Sequence, residues 1–132
     1  MYWLNLLKRE EYHIPKIIHK SAYVSKTAKI GSGSIIYPKA CIQTNANIGE
    51  AVLINTNSCI EHDCKISDGV HICPGVNIAG KAKIGKGSWI GIGSTIIQNI
   101  EIGHNTIIGA GAVVIRNIPN NSKAIGNPAR LI

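Results

Sequence analysis

Residues Ile54–Gly80 read INTNSCIEHDCKISDGVHICPGVNIAG, with isoleucine at every sixth position: Ile54, Ile60, Ile66, Ile72 and Ile78. Followed outward, the rule holds from Ile18 to Val114. Seventeen consecutive hexads begin with Ile or Val, with no insertion. Four residues after each stands a small or β-branched residue, in a series running from Ala22 through Ser58, Cys64 and Val70 to Ile118. The place before that one is often Gly, Asn or Asp, as at Gly33, Asn45, Asp63, Gly75 and Asn105. Those types tolerate positive φ, so this place reads as a corner.

A period of six fits neither an amphipathic helix nor an alternating strand. It predicts an all-β fold, a parallel β-helix of hexapeptide repeats. Each hexad is one short strand and a corner, with the branched residue pointing in. Three hexads close one triangular coil, and coils stack at about 4.8 Å, the spacing of paired strands. Seventeen hexads therefore give five to six coils. The lack of Phe, with only two Trp and four Tyr, suits a thin prism filled by Ile and Val better than a thick sandwich.

Residues 1–17 stand outside the repeat. Trp3, Leu4, Leu6 and Leu7 are expected on one face of a short helix ending before Pro15. Such a segment would cap the first coil, whose open end otherwise invites edge pairing. The β-helix is assigned to residues 18–119. After Val114 the pattern dissolves, and residues 120–132 read as a C-terminal tail.

A net charge of +7 favours anionic partners. The basic residues are scattered lysines with three arginines and no dense run, which speaks against nucleic acid and for a phosphorylated small ligand such as coenzyme A or a nucleotide-sugar. The cysteines at 41, 59, 64 and 73 have neither CxxC nor zinc spacing and read as reduced thiols of a cytosolic protein. The N-terminus lacks a signal-peptide pattern, and no apolar run reaches the length of a membrane span.

Three passages carry a resemblance. IIHKSAYVSKTAKIG (17–31), NTNSCIEHDCKISDGVHICPGVNIAG (55–80) and IGAGAVVIRNIPNNSKAIGNPARLI (108–132), the last with its Gly126-Asn127-Pro128-Ala129-Arg130 motif, resemble the hexapeptide-repeat acyltransferases. Within these, they are similar to the sialic acid O-acetyltransferase and UDP-amino-sugar N-acetyltransferase family, which includes the enzymes of bacillosamine synthesis. The resemblance implies a left-handed β-helix, against the general right-handed rule for crossovers. It implies acetyl-CoA as co-substrate without a metal, and a homotrimer with sites between subunits. The acceptor would be a nucleotide-linked amino-sugar, a UDP-4-amino-4,6-dideoxy sugar of the bacillosamine or viosamine type. Members of the family also carry a separate N-terminal nucleotide-sugar-binding domain, where here only the short segment 1–17 precedes the repeat.

By the same resemblance His62 is the general base and Asp63 its acidic partner. Asn55 and Glu61 stand at the acceptor, and His71 and the Gly80 N–H at the acetyl donor. Apart from the resemblance, Trp89 is expected to flank the pantetheine arm from its place in the stack, and Lys86 and Arg116 are expected to meet coenzyme A phosphates as basic residues; the resemblance adds Arg130 to them. The chemistry asks for such groups. An ammonium has no lone pair, and a histidine near its ordinary pKa takes up a proton at neutral pH. Attack on the thioester creates an oxyanion that a fixed N–H stabilises. With both substrates bound together, transfer is direct and needs no acyl-cysteine.

Coil arithmetic adds an independent expectation. Residues three hexads apart should stack, which puts Gly80 over His62, Lys81 over Asp63, and Trp89 over His71 with Leu53 beneath. His62 and His71 are half a coil apart, so a site using both would draw one from a neighbouring subunit. Three alternatives stand beside the N-acetyltransferase reading. One is an O-acetyltransferase of sialic-acid type. Another is a zinc enzyme, which needs three converging histidines where only His62 and His71 offer themselves. The last is a non-catalytic scaffold.

Overall fold

The structure is a computed structural model and describes residues 2–132. It is a left-handed parallel β-solenoid of about six turns, preceded by one short helix. The strands are two residues long and recur every six, from Ile17–Ile18 to Val113–Val114. Every third strand pairs in parallel, so the chain builds an eight-stranded, a six-stranded and a five-stranded face. Register is constant throughout this run, each residue pairing with the one three hexads on: Val24, Ile42, Ile60, Ile78, Ile96 and Val114 form one column. The N–H groups of each coil donate to carbonyls of the next, as from Glu61 to Ile78 O at 2.9 Å.

The predicted inward isoleucines fill the prism. From Ile36 to Ile108 those on the strands are essentially inaccessible, and each removes a large branched side chain from water. The corner reading is equally clear. From Gly33 to Gly111 all eleven Gly, Asn and Asp residues at the third hexad place have φ between 50° and 70°, and only Asn117 in the closing coil departs from this. Lys39, Ala51 and Lys81 adopt the same conformation without being favoured types, whereas Ser21 and Thr27 at the first two corners do not.

Two features depart from the sequence expectations. The helix Tyr2–Arg9 forms, but Trp3 does not share its inward face: Leu4 is buried while Trp3 is 70% exposed. Helix geometry explains this, since Leu4 and Lys8 are one turn apart on the same side. Leu4 lies close to Gly33, and the Lys8 ammonium meets the Glu50 carboxylate at 2.6 Å. The helix therefore leans on one corner of the first two coils and leaves Ile18 accessible.

The pattern also survives beyond Val114 in a shortened form. Ile118 pairs with Ile102 instead of taking the small corner place, and Lys123–Ile125 joins the eight-stranded face, with Lys123 beside Ile107 and Ala124 beside Ile108. The pairing of Ile102 with Ile118 makes this last coil two positions shorter than the others. The Asn117 side-chain carbonyl accepts from the Glu101 N–H at 2.8 Å, replacing the backbone carbonyl that a full coil would supply, and the Asn120 side-chain carbonyl accepts from the His104 N–H at 2.9 Å. Arg130–Leu131 then folds back antiparallel on Lys123–Ile125.

The burial pattern sets an expectation for stability. Ile60→Ala opens a hole in the middle of the prism and should cost about 2–5 kcal/mol. Ile18→Ala, 40% exposed at the first coil, should cost clearly less. Paired chemical denaturation curves check the difference.

Candidate active site

His62 stands at the corner where the chain leaves the six-stranded face after Cys59–Ile60 and turns into Lys65–Ile66 on the five-stranded face. Its position follows from the repeat: it is the second residue after an inward isoleucine, and the third, Asp63, takes the left-handed conformation with φ 59°. That turn holds the two side chains together. His62 Nδ1 lies 2.8 Å from Asp63 Oδ2, and the Asn45 amide one coil below donates to Asp63 Oδ1 at 3.3 Å. The hydrogen bonds from His62, first, and from Asn45 hold the Asp63 carboxyl below its ordinary pKa. The imidazole thus has a carboxylate on Nδ1, which leaves Nε2 as the nitrogen free to accept a proton from a substrate.

Gly80 lies directly over the ring, as the coil arithmetic expects. A methyl group at Gly80 would stand 2.5 Å from His62 Nε2 and 2.7 Å from Cε1. Only a residue without Cβ lets the imidazole rest against the next coil. Gly80 is itself buried, and no described residue accepts from its N–H. Lys81 stacks over Asp63, yet its side chain forms no ion pair with it among the described residues. Its backbone N–H instead donates to His62 O at 2.9 Å.

A groove of about 160 Å³ runs beside this corner on the six-stranded face, lined by Cys59, Glu61, Asn77, Ala79 and Thr95 among others. Glu61 faces it and accepts from the Cys59 thiol at 3.6 Å. Burial, with Cys41 and Glu61 close by, pushes the Cys59 thiol up to about 12, and burial pushes Cys64 up to about 11. Both stay protonated at neutral pH and are poor nucleophiles, which suits transfer without an acyl-cysteine.

A second cluster occupies the eight-stranded face. Leu53, His71 and Trp89 stack in register, with the His71 and Trp89 ring centroids 4.1 Å apart. Asn55 Nδ2 lies 3.5 Å from His71 Nε2. Burial pushes the His71 pKa down, so this ring is neutral at neutral pH. The two histidines occupy different parts of the triangle, as expected. Asn55 belongs with His71 and Glu61 with His62.

The three basic residues assigned to coenzyme A are dispersed. Arg116 lies on the His62 corner, three coils beyond it by register. Lys86 is on a different corner, 3.8 Å from Asp68. Arg130 is exposed in the closing antiparallel strand. Sequence reasoning passed over Asn45, which steadies Asp63. Its signal was the same step of three hexads that found Gly80. Among the described residues no group of three or more His, Cys, Asp or Glu is arranged to hold a metal, and no helix is long and apolar enough to cross a membrane.

The lowered pKa values carry a pH dependence whose sign is fixed. The unfolded chain protonates His71 before the folded one does. Its contribution is therefore complete above the ordinary imidazole value of 6.5 and falls as pH drops below it. Asp63 acts in the same direction at lower pH, losing its contribution as pH falls through its depressed native value, below 3.8. Melting temperatures should fall between pH 7 and 5, and His71→Gln should flatten that slope.

Known proteins share this fold. The family of the bacterial transferase hexapeptide (six repeats) matches residues 81–116. The acetyltransferase domain of PglB from Neisseria gonorrhoeae is 34% identical with a TM-score of 0.97, covering 99% of this chain and 64% of that one; it has also been solved with acetyl coenzyme A. Perosamine N-acetyltransferase from Caulobacter crescentus, solved with CoA and GDP-perosamine in forms with one histidine replaced, is 32% identical with a TM-score of 0.95, over 99% of this chain and 63% of that one. WeeI from Acinetobacter baumannii is 31% identical with a TM-score of 0.94, over 99% and 64%. The chain spans just under two thirds of the length of these proteins. Comparison with curated protein sequences gives no match. Along nearly all its length the chain has the hexapeptide repeat and the fold of these proteins, and it is similar to the acetyltransferase domains they carry.

Proposed function

We propose that this chain transfers an acetyl group from acetyl-CoA directly to the amine of a nucleotide-linked amino-sugar, with His62 as general base. The observation that carries the reading is the His62–Asp63 pair, 2.8 Å apart and laid against the bare Gly80 backbone. It supplies a proton acceptor at Nε2 beside an unengaged N–H that can face the thioester oxygen. The likeness to the PglB domain bound to acetyl coenzyme A and to perosamine N-acetyltransferase bound to GDP-perosamine supports both substrates. The acceptor favoured here remains a UDP-4-amino-4,6-dideoxy sugar, its ring beside Glu61 in the groove next to His62. The four free thiols fit a cytosolic reaction.

The second half of the site comes from a neighbouring copy in a homotrimer. His71, Asn55 and Trp89 cannot meet His62 of the same chain, because they leave the prism from another face. Their face also carries an outward column, Ile17, Ile35, Leu53, His71, Trp89 and Ile107, apolar except for His71, in which Trp89 is 48% and Ile107 43% exposed. A contiguous stripe of this kind is a surface that association would cover.

Thiol release from acetyl-CoA in the presence of UDP-4-amino-4,6-dideoxy sugars tests the reaction. His62→Ala should lose roughly 10²-fold or more in rate with an unchanged melting temperature. Gly80→Ala should behave similarly by displacing the ring. Absence of turnover with every amino-sugar nucleotide, or full activity of His62→Ala, would overturn the reading. Mixing subunits tests the assembly. Refolded mixtures of inactive His62→Ala and His71→Ala chains should regain activity, since some interfaces then pair an intact His62 with an intact His71. If both residues came from one chain, the mixture would stay inactive.

A further inference from the structure

The corner that carries His62 is a column in its own right. Taking the second residue after each inward residue of the six-stranded face gives Lys26, Thr44, His62, Gly80, Gln98 and Arg116. The column is polar or bare along its length, with a cation near each end and the candidate base between them. Lys26 lies two coils from His62 on one side, about 10 Å at the spacing of paired strands, and Arg116 lies three coils away on the other, about 14 Å. Lys26 and Arg116 are both exposed, and neither enters an ion pair among the described residues.

The Lys26 end is reinforced. Lys29 begins the next strand, on the five-stranded face just past the same corner, and is also exposed and unpaired. From Tyr12 to Gly49 the chain holds five lysines and neither Asp nor Glu, so no carboxylate within this stretch neutralises the patch. Between this end and His62 stands exposed Thr44, a hydroxyl able to hydrogen-bond a sugar or phosphate oxygen.

We propose that Lys26 and Lys29 anchor the diphosphate of the nucleotide-linked acceptor, whose sugar lies over Thr44 and whose amine reaches His62. The proposal rests on the acetyltransferase reading and deepens it by assigning the acceptor and donor to opposite directions along one edge. The two-coil separation of Lys26 from His62 matches a hexose with its attached phosphate. The donor's longer arm then runs the other way, toward Arg116. An anchor made of ammonium groups reads charge and not the base, so it serves UDP- and GDP-linked sugars alike.

The test is equilibrium binding of UDP and of GDP to the intact chain in its native assembly, by calorimetry. The corner variant Lys26→Ala/Lys29→Ala is compared with Lys16→Ala/Lys20→Ala, which removes the same charge from the same end but away from this corner. The corner variant should weaken both nucleotides on the order of tenfold or more, as expected for lost charge-assisted phosphate contacts. The control should change them little, and acetyl-CoA binding should be unaltered in both. Unaltered nucleotide affinity in the corner variant, an equal loss in the control, or no binding of either nucleotide by the wild type would each overturn the anchor. The two readings separate cleanly. Corner-dependent nucleotide binding without acetyl transfer would retain the anchor and sink the enzyme reading. His62-dependent transfer with an unmoved KM for the nucleotide-sugar in the corner variant would sink the anchor alone.

Discussion

The hydrogen bonds between successive coils are the constraint on which everything else depends. Each strand offers only two residues, too short to pair stably unless its partners above and below are in strict register. The ladder from each N–H to a carbonyl of the next coil, as from Glu61 to Ile78, therefore fixes coil length and inward column together. It also holds every corner from Gly33 to Gly111 in a left-handed turn, even where Lys39 or Ala51 must occupy it. A residue's function in this protein is consequently set by which column it stands in.

That constraint produces the site. The corner geometry that serves any hexad also points a histidine and the following carboxylate outward together, so no special backbone is needed for the His62–Asp63 pair. What is special is the sequence of the neighbours in the stack. Gly80 removes the side chain that would otherwise crowd the ring, and Asn45 offers an amide where the column below could hold any corner residue. The same logic separates His62 from His71, because columns half a coil apart leave the prism in different directions.

Local periodicity made most of this legible in the sequence. The strands, the corners, the inward isoleucines and the stacking of Gly80 on His62 and Trp89 on His71 all follow from counting in hexads and in threes of hexads. Counting failed where side chains replaced backbone. The closing coil is shorter because Asn117 reaches across the gap, and that substitution leaves no period to detect. Counting also placed Lys81 over Asp63 without revealing that the side chain stays apart. The seat of the helix was hidden for another reason: it depends on Leu4 meeting Gly33, a contact between segments that no repeat relates. Asn45 was overlooked because asparagine is an ordinary corner residue, and only its neighbour gives it a task.

The shortened last coil and the strand that folds back over it have a consequence for self-association. A solenoid built from identical rungs leaves unpaired N–H and C=O groups at both ends and is in principle a template for its own endless extension. Here the terminal rung is out of step with the three-hexad frame, and Arg130–Leu131 lies across Lys123–Ile125 in the opposite direction, with the Ile132 N–H held by Lys123 O at 3.0 Å. A second copy approaching this end meets a rung of the wrong length and a reversed strand. The same few residues that finish the prism thus set its height and keep it from growing into a fibre.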